Sequence, residues 1–156
     1  MCKKGLLKEK IGGRGKTVEI SDVLLESGHW MFLGIEGETG KFFVLPTAGS
    51  LAQVSRSICL KFNILGSILP GSTLIISKQQ QEYTKLKNNV EITSKYSIVE
   101  QNSLQACDGF FNELQVELEK VDLKDSFMKN FAFWYMFRKK YPHNTLHEFL
   151  VSCALQ

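Results

Sequence analysis

The sequence predicts a mainly β domain with some α structure, in which five strands close into a small Greek-key barrel followed by C-terminal helices. Between residues 17 and 99, apolar and polar residues alternate in short runs separated by turn residues, as they do in strands. One longer run, at residues 49–65, has helical spacing instead. After residue 101 the spacing of the apolar residues is helical. These three observations together predict a barrel with a helical tail.

The first three strands are predicted from alternation and from one turn. Residues 18–21 alternate apolar and polar side chains, and residues 30–35 and 41–45 form two further strand-like runs. The five residues between these two runs include Gly37 and Gly40, which is typical of a hairpin turn. We therefore expect one strand followed by a β-hairpin.

A short helix and two more strands are predicted next. The helix covers residues 49–65, where apolar residues recur at helical spacing, namely Leu51, Val54, Ile58 and Phe62. A Pro-Gly turn at residues 70–71 precedes a buried strand at 74–76, a polar loop at 78–89 and a fifth strand at 90–93. Three strands, a helix and two strands are the element order of the OB-fold barrel, although other small β-barrels and some α+β domains share it.

Residues 102–156 are predicted to be helical. Apolar residues from Leu104 to Val121 form one helical stripe, and residues 127–141 contain seven aromatic side chains that wrap around a helix. Thr145 to Glu148 form a capping box that opens a last short helix. One contact surface is too small to bury all these aromatic rings, so this region either docks a partner protein or packs back on the barrel.

The composition is that of an ordinary globular chain, with 156 residues of which 44% are hydrophobic and 22% charged. We expect residues 1–16, which are basic and rich in glycine, to form a flexible leader, residues 17–101 to form the barrel, and residues 102–156 to form the helical region. The net charge of +3 is too small to indicate nucleic-acid or membrane binding by itself. No apolar run reaches the roughly 18 residues of a membrane span, and no secretion signal is visible.

No group of residues indicates an enzyme, a cofactor or a metal site. Gly12, Gly13 and Gly15 lack the earlier glycine of a phosphate-binding loop, and a strand rather than a helix follows them. His143 and His147 have helical spacing, but a helix start separates them. The cysteines form no CxxC pair, which excludes a zinc ribbon and favours reduced thiols; they are Cys2, Cys59, Cys107 and Cys153.

Residues 77–93 carry chemistry that suits a single nucleic-acid strand. Lys78, Lys85 and Lys87 surround Tyr83 in a predicted loop. Lysines neutralise phosphates, and an exposed Tyr ring can stack on any base, which is worth about 1–3 kcal/mol per base. The same composition also fits a solvated charged loop whose Tyr lies on the barrel.

The same segment resembles the OB-fold DNA-binding domains of the replication protein A large-subunit family. The matching residues are Ser77-Lys78, Tyr83-Thr84, Leu86-Lys87-Asn88 and Val90 to Thr93. A second patch is similar to that family's second and third strands and their turn; it contains Phe32, Ile35, Glu38-Thr39-Gly40 and Phe42. Lys61-Phe62 and Leu69-Pro70-Gly71 lie where the family's helix leads into its fourth strand. The resemblance covers residues 17 to about 100.

This resemblance implies a non-catalytic single-stranded DNA-binding protein that acts in a nuclear genome-maintenance complex for replication, repair, recombination or telomeres. It implies that Tyr83 stacks on a base and that Glu91 faces the bound strand. The family's other stacking aromatic would fall near Thr47, and Phe43 is the candidate to replace it on that strand face. The expected nucleic-acid-binding residues are therefore Trp30, Phe43, Lys78, Tyr83, Lys85, Lys87 and Glu91. RNA would use the same surface.

The alternative is an adaptor that has lost contact with nucleic acid and docks proteins through its C-terminal helices. The low net charge, the missing aromatic at Thr47 and the aromatic-rich tail favour this interpretation. Members of the replication protein A family also bundle with partner subunits through a helix after the barrel. The residues expected to bind a partner protein are Phe111, Leu114, Leu118, Phe131, Trp134 and Phe137.

Overall fold

A computed structural model describes residues 9–24, 30–47, 56–119, 135–136 and 138–140 of the chain. A two-residue strand, β1 (Ile11–Gly12), precedes three longer ones, β2 (Thr17–Leu24), β3 (Trp30–Glu36) and β4 (Phe42–Thr47). β3 pairs antiparallel with both β2 and β4. The strand and the hairpin predicted at the start of the domain are therefore confirmed.

The predicted helix after the hairpin is also present. α1 spans Arg56–Ser67, whereas residues 49–55 of the predicted helix lie outside the described residues. Two strands follow, β5 (Ile68–Leu69) and β6 (Thr73–Ser77). β6 confirms the buried strand predicted at residues 74–76.

The predicted polar loop and the predicted fifth strand are both helical. They contain α2 (Gln81–Thr84), a 3₁₀ turn at Lys85–Asn88 and α3 (Val90–Thr93). Asn89 caps α3, since its side-chain oxygen accepts the N–H of Ile92 at 3.1 Å. Val90 is exposed and Ile92 is buried. Two residues apart, these side chains point to opposite sides of a helical turn, whereas in a strand they would share one face. The last strand of the sheet is instead β7 (Ser97–Gln101).

The five long strands form a mixed sheet in the order β4-β3-β2-β6-β7. β6 is parallel to β2, and β7 is parallel to β6. Parallel neighbours need a crossover connection, which α1 supplies before β6 and α2 and α3 supply before β7. A Greek-key barrel closes through antiparallel pairing. The described strands instead form an open sheet with β4 and β7 at its edges, so the closed barrel predicted from the element order is not found among them.

Helices cover both faces of this sheet. Phe43 lies on one face and lines a cavity with Phe62 of α1. Phe42, its neighbour in the strand, lies on the opposite face, with its ring 5.0 Å from that of Phe110. Phe110 belongs to α4 (Gln105–Glu119), which confirms the helix predicted from Leu104 onward. The result is a mixed α/β structure with the sheet between two helical layers.

Residues 9–16 belong to the fold and not to a flexible leader. β1 pairs with β5 in parallel. The N–H of Gly12 donates to the carboxylate of Glu36 at 2.8 Å, and the N–H of Gly13 donates to the hydroxyl of Ser72 at 2.8 Å. Glu36 and Ser72 are both buried. Buried polar groups need hydrogen-bond partners. Residues 9–16 and the sheet supply such partners to one another. The rest of the predicted leader, residues 1–8, lies outside the described residues.

The surroundings of Glu36 shift its pKa. Burial alone raises this pKa, but the N–H of Gly12, the hydroxyl of Thr39 and the ammonium groups of Lys16 and Lys41 outweigh burial and hold it below the ordinary value. The Thr39 hydroxyl donates to Glu36 at 3.0 Å, and the Lys16 ammonium lies 3.8 Å from the carboxylate. The ionised form is therefore the one that stabilises the fold.

We expect acid to remove this stabilisation. A carboxylate whose pKa is lower in the folded state contributes stability at neutral pH and loses it as the pH falls through the folded pKa. In urea unfolding from about pH 7 down to about pH 3, the free energy of unfolding of the unmodified protein should therefore fall towards that of Glu36→Gln. The exposed Glu38 provides the control, Glu38→Gln. A constant gap between the unmodified protein and Glu36→Gln would contradict this role.

Gly34 permits close packing at the centre of the sheet. A Cβ atom at Gly34 would lie against the ring of Phe43, closer than side chains pack in proteins, whereas one at Gly66 in α1 would meet nothing within 4 Å. We expect Gly34→Ala to lower the free energy of unfolding by about 1–3 kcal/mol through overpacking. Gly66→Ala should raise it by up to about 0.5 kcal/mol, because Gly66 lies in the last turn of α1, where alanine still loses less backbone entropy on folding than glycine. Equal effects in denaturant unfolding would contradict this account.

Candidate functional site

The parallel strands β2 and β6 direct their carboxyl ends to the same end of the sheet, where β2 runs about three residues farther than β6. After β2 the chain turns to β3 on one side, and after β6 it passes through α2 and α3 to β7 on the other. In open α/β sheets, connections that diverge in this way leave a crevice outside the strand ends, and ligands bind there. We term this end of the sheet the carboxyl edge; it contains Ser21 to Leu24, Trp30 and Ser77 to Gln80.

Gln80 joins the two strand ends at the carboxyl edge. Its side-chain amide donates to the hydroxyl of Ser21 at 3.2 Å and to the backbone carbonyl of Asp22 at 3.3 Å. The Ser21 hydroxyl also lies within 3.4 Å of the amide oxygen of Gln80. Ser21 is buried, so these contacts satisfy polar groups that water does not reach. The segment after β6 is thereby fixed against the end of β2.

Lys78 is the first residue after β6 and is exposed. Its N–H donates to the carbonyl of Gln101 at 2.9 Å, which holds its backbone at the carboxyl edge. No ion pair with a carboxylate of the described residues holds its ammonium group. The positive charge of Lys78 is therefore available to an anionic ligand.

Trp30 lies at the same edge on the other side of β2. β3 runs antiparallel to β2, and the register pairs Trp30 with Leu24, so β3 begins where β2 ends. Trp30 is partly exposed. Because β2 lies between β3 and β6, Trp30 and Lys78 flank the end of β2. The structure thus brings two of the predicted binding residues to one edge.

The two other aromatic residues predicted to stack on bases are buried. Tyr83 is 0% exposed, and Phe43 packs at 5.3 Å from the ring of Phe32. The helical conformation of residues 81–88 directs Tyr83 and Leu86 into the core. Neither Tyr83 nor Phe43 offers a ring face to a base in this structure. The expectation that these two rings stack on bases is therefore corrected: both are core residues.

The remaining predicted nucleic-acid-binding residues take part in ion pairs. Lys85 lies 2.7 Å from Glu82, and Lys87 lies 2.8 Å from Glu100. Glu91 contacts Lys61 and Lys95, and the hydrogen bond from Lys61 is the main cause of the lowered pKa of Glu91. These charges largely compensate one another. Lys78 therefore differs from Lys85 and Lys87 in its electrostatic surroundings.

The residues predicted to bind a partner protein divide into two sets. Leu114 is buried and Phe111 is half-buried, because the apolar stripe of α4 packs inside the described structure. The N–H of Cys107 donates to the carboxylate of Glu19 at 3.1 Å and fixes the first turn of α4 on β2. The others lie outside the described side chains; they are Leu118, Phe131, Trp134 and Phe137. The first set packs within the described structure, so any support for a partner-docking role has to come from the second set.

The described residues bear on three further kinds of feature, namely metal sites, membrane spans and reactive thiols. They contain no group of three or more His, Cys, Asp or Glu side chains placed to hold a metal ion. None of their helices is both long and apolar enough to cross a membrane. Burial is the main cause that raises the pKa of the Cys107 thiol, so this cysteine is a protonated core residue.

Sequence reasoning missed Ser21 and Gln80. A signal for them was present, because a polar run begins at Ser77 directly after a buried strand. That pattern is typical of the carboxyl end of a parallel strand followed by a helix. This signal was missed because the prediction placed residues 78–89 in a loop of an antiparallel barrel.

None of the curated proteins matches this sequence. A family model described as "Protein of unknown function (DUF1493)" matches residues 70–155. The match begins just before β6 and includes Lys78 and Gln80, but it does not reach Trp30. It covers more than half of the 156 residues. The chain therefore belongs to the DUF1493 family.

Proposed function

We propose that the protein is non-catalytic and binds single-stranded nucleic acid at the carboxyl edge of its sheet. One observation carries this proposal: the register of β2 with β3 and with β6 brings Trp30 and Lys78 to the two sides of one strand end. An aromatic ring beside an ammonium group is what a single strand needs, since bases stack on the ring and phosphates are neutralised by the charge.

The position of the two side chains supports the same ligand. Two strand spacings of about 4.8 Å separate β3 from β6, and the register places Trp30 beside Leu24 but Lys78 level with Asp22, so Trp30 and Lys78 are separated by about 12 Å across β2. A short stretch of nucleic acid can place a base on Trp30 and a phosphate at Lys78 over that distance. Gln80 adds a polar side chain held in a fixed orientation against the end of β2.

The biological setting comes from the resemblance to the replication protein A large-subunit family. We propose DNA as the ligand and a nuclear genome-maintenance complex as the setting on that basis. An OB-fold groove would cross the antiparallel strands of a barrel and would use Tyr83, which is buried here. The proposal therefore depends on the strand ends and not on a barrel groove.

Fluorescence anisotropy with a labelled single strand of about 20 bases tests this function. Affinity should fall with salt, and Lys78→Ala should reduce the slope of log K against log salt by about 0.7, because one phosphate contact is lost. Lys85→Ala is the matched control, since Lys85 is exposed but paired with Glu82. A matched RNA strand shows whether the ligand is DNA alone.

Trp30→Ala should weaken binding by about 1–3 kcal/mol, the usual contribution of one stacked base. The chain has two tryptophans, so Trp134→Phe leaves Trp30 as the reporter, and its fluorescence should be quenched by the strand. Circular dichroism checks that each variant is folded. No binding at low salt, or equal losses in Lys78→Ala and Lys85→Ala, would overturn the proposal.

Tyr83 should affect stability and not binding. Tyr83→Ala removes a fully buried ring and should lower the free energy of unfolding by about 3–5 kcal/mol. Tyr83→Phe keeps the ring and should bind the strand with unchanged affinity. A loss of affinity in Tyr83→Ala without any loss of stability would instead place Tyr83 on the binding surface.

A further inference from the structure

β7 forms an exposed edge of the sheet. It pairs with β6 on one side, and no other described strand pairs with it. Val99, at its middle, is 45% exposed, and Ser97 and Gln101 are exposed as well. The opposite edge differs, because the N–H of Val44 in β4 is covered by the sulfur of Met136 at 3.2 Å.

The backbone of β7 presents unpaired groups on its outer side. The N–H of Ser97 donates to the carbonyl of Ser72, and the carbonyl of Gln101 accepts the N–H of Lys78. Alternate residues of a strand form the ladder with one neighbour. Ile98 and Glu100 therefore direct their N–H and C=O groups away from β6, and no backbone hydrogen bond of the described residues uses those groups.

Proteins usually protect such an edge with proline, lysine, a bulge or a covering element. β7 has neither proline nor lysine, and its register with β6 is continuous, without a bulge. Its single charged residue is Glu100, whose carboxylate forms an ion pair with the ammonium group of Lys87 at 2.8 Å. The edge is thus suited to pairing with another strand.

We propose that β7 pairs antiparallel with β7 of a second copy of this chain, so that one sheet runs through a symmetric dimer. About a two-fold axis at Val99, Ile98 of each copy lies opposite Glu100 of the other. The outward groups of these residues then make four hydrogen bonds, because each donor faces an acceptor. Val99 faces its own counterpart at the closer, non-hydrogen-bonded position.

A second copy fits this edge because the pairing is self-complementary. Glu100 lies opposite an apolar residue, so no like charges oppose one another in this register. Both partners contribute the same patch, as a two-fold interface requires. The dimer uses the side of β7, whereas the proposed nucleic-acid site lies at the strand ends, so each holds or fails without the other.

Sedimentation velocity of the full chain over a range of concentrations up to about 100 µM tests the dimer. The weight-average mass should rise towards twice the monomer mass. Glu100→Pro removes the outward N–H, and proline is tolerated where an edge strand faces solvent. It should raise the dissociation constant of the dimer at least about tenfold. Glu100→Gln keeps the N–H and should dimerise as the unmodified chain does.

Val99→Lys gives a second, independent variant. It places two ammonium groups opposite one another at the axis and should abolish association, whereas Val99→Thr should preserve it. Far-ultraviolet circular dichroism confirms that the variants are folded. A chain that stays monomeric at every concentration, forms open-ended oligomers, or associates equally well as Glu100→Pro would overturn the proposal.

Discussion

The parallel pairing of β2 with β6 is the constraint on which the rest of the structure depends. It places β6, which follows α1 in the chain, beside β2, the strand that precedes the hairpin. A parallel neighbour requires a crossover, and the crossover requires a helix that covers one face of the sheet. Because α1 takes that face, α4 covers the other, where Cys107 and Glu19 fix its first turn. The arrangement of α1 on one face of the sheet and α4 on the other follows from this one strand pair.

The same pairing separates the faces of the sheet from its ends. The faces are covered by helices, so aromatic rings that point towards a face, such as Phe43, become part of the core. At the carboxyl edge the connections leave β2 and β6 in opposite directions. Among the described residues, some at this edge are exposed or partly exposed to solvent. Lys78 and Trp30 are of this kind, although they are far apart in the sequence.

Local elements could be predicted from the sequence, and the pairing between them could not. The hairpin, α1, β6 and α4 follow from alternation, turns and helical spacing, which are properties of short segments. Val90 to Thr93 has one apolar residue in two, which matches the strand period, but Asn89 caps a helical turn there and Val90 remains exposed. Parallel or antiparallel pairing depends on contacts between distant segments. The closed barrel is therefore not found among the described strands and Tyr83 is buried, while Lys78 follows a strand as predicted.

The hydrogen bond from Gly12 to Glu36 also bears on where the folded unit begins. The onset of strand alternation at residue 17 suggests a domain boundary there. A chain cut at that point would keep Glu36 buried in the sheet but would remove the N–H of Gly12 and the ammonium of Lys16. A buried carboxylate without those partners is strongly destabilising. A unit cut at residue 17 should therefore be less stable than one that keeps the glycine-rich segment, because this segment supplies two of the groups that compensate a charge enclosed by the sheet.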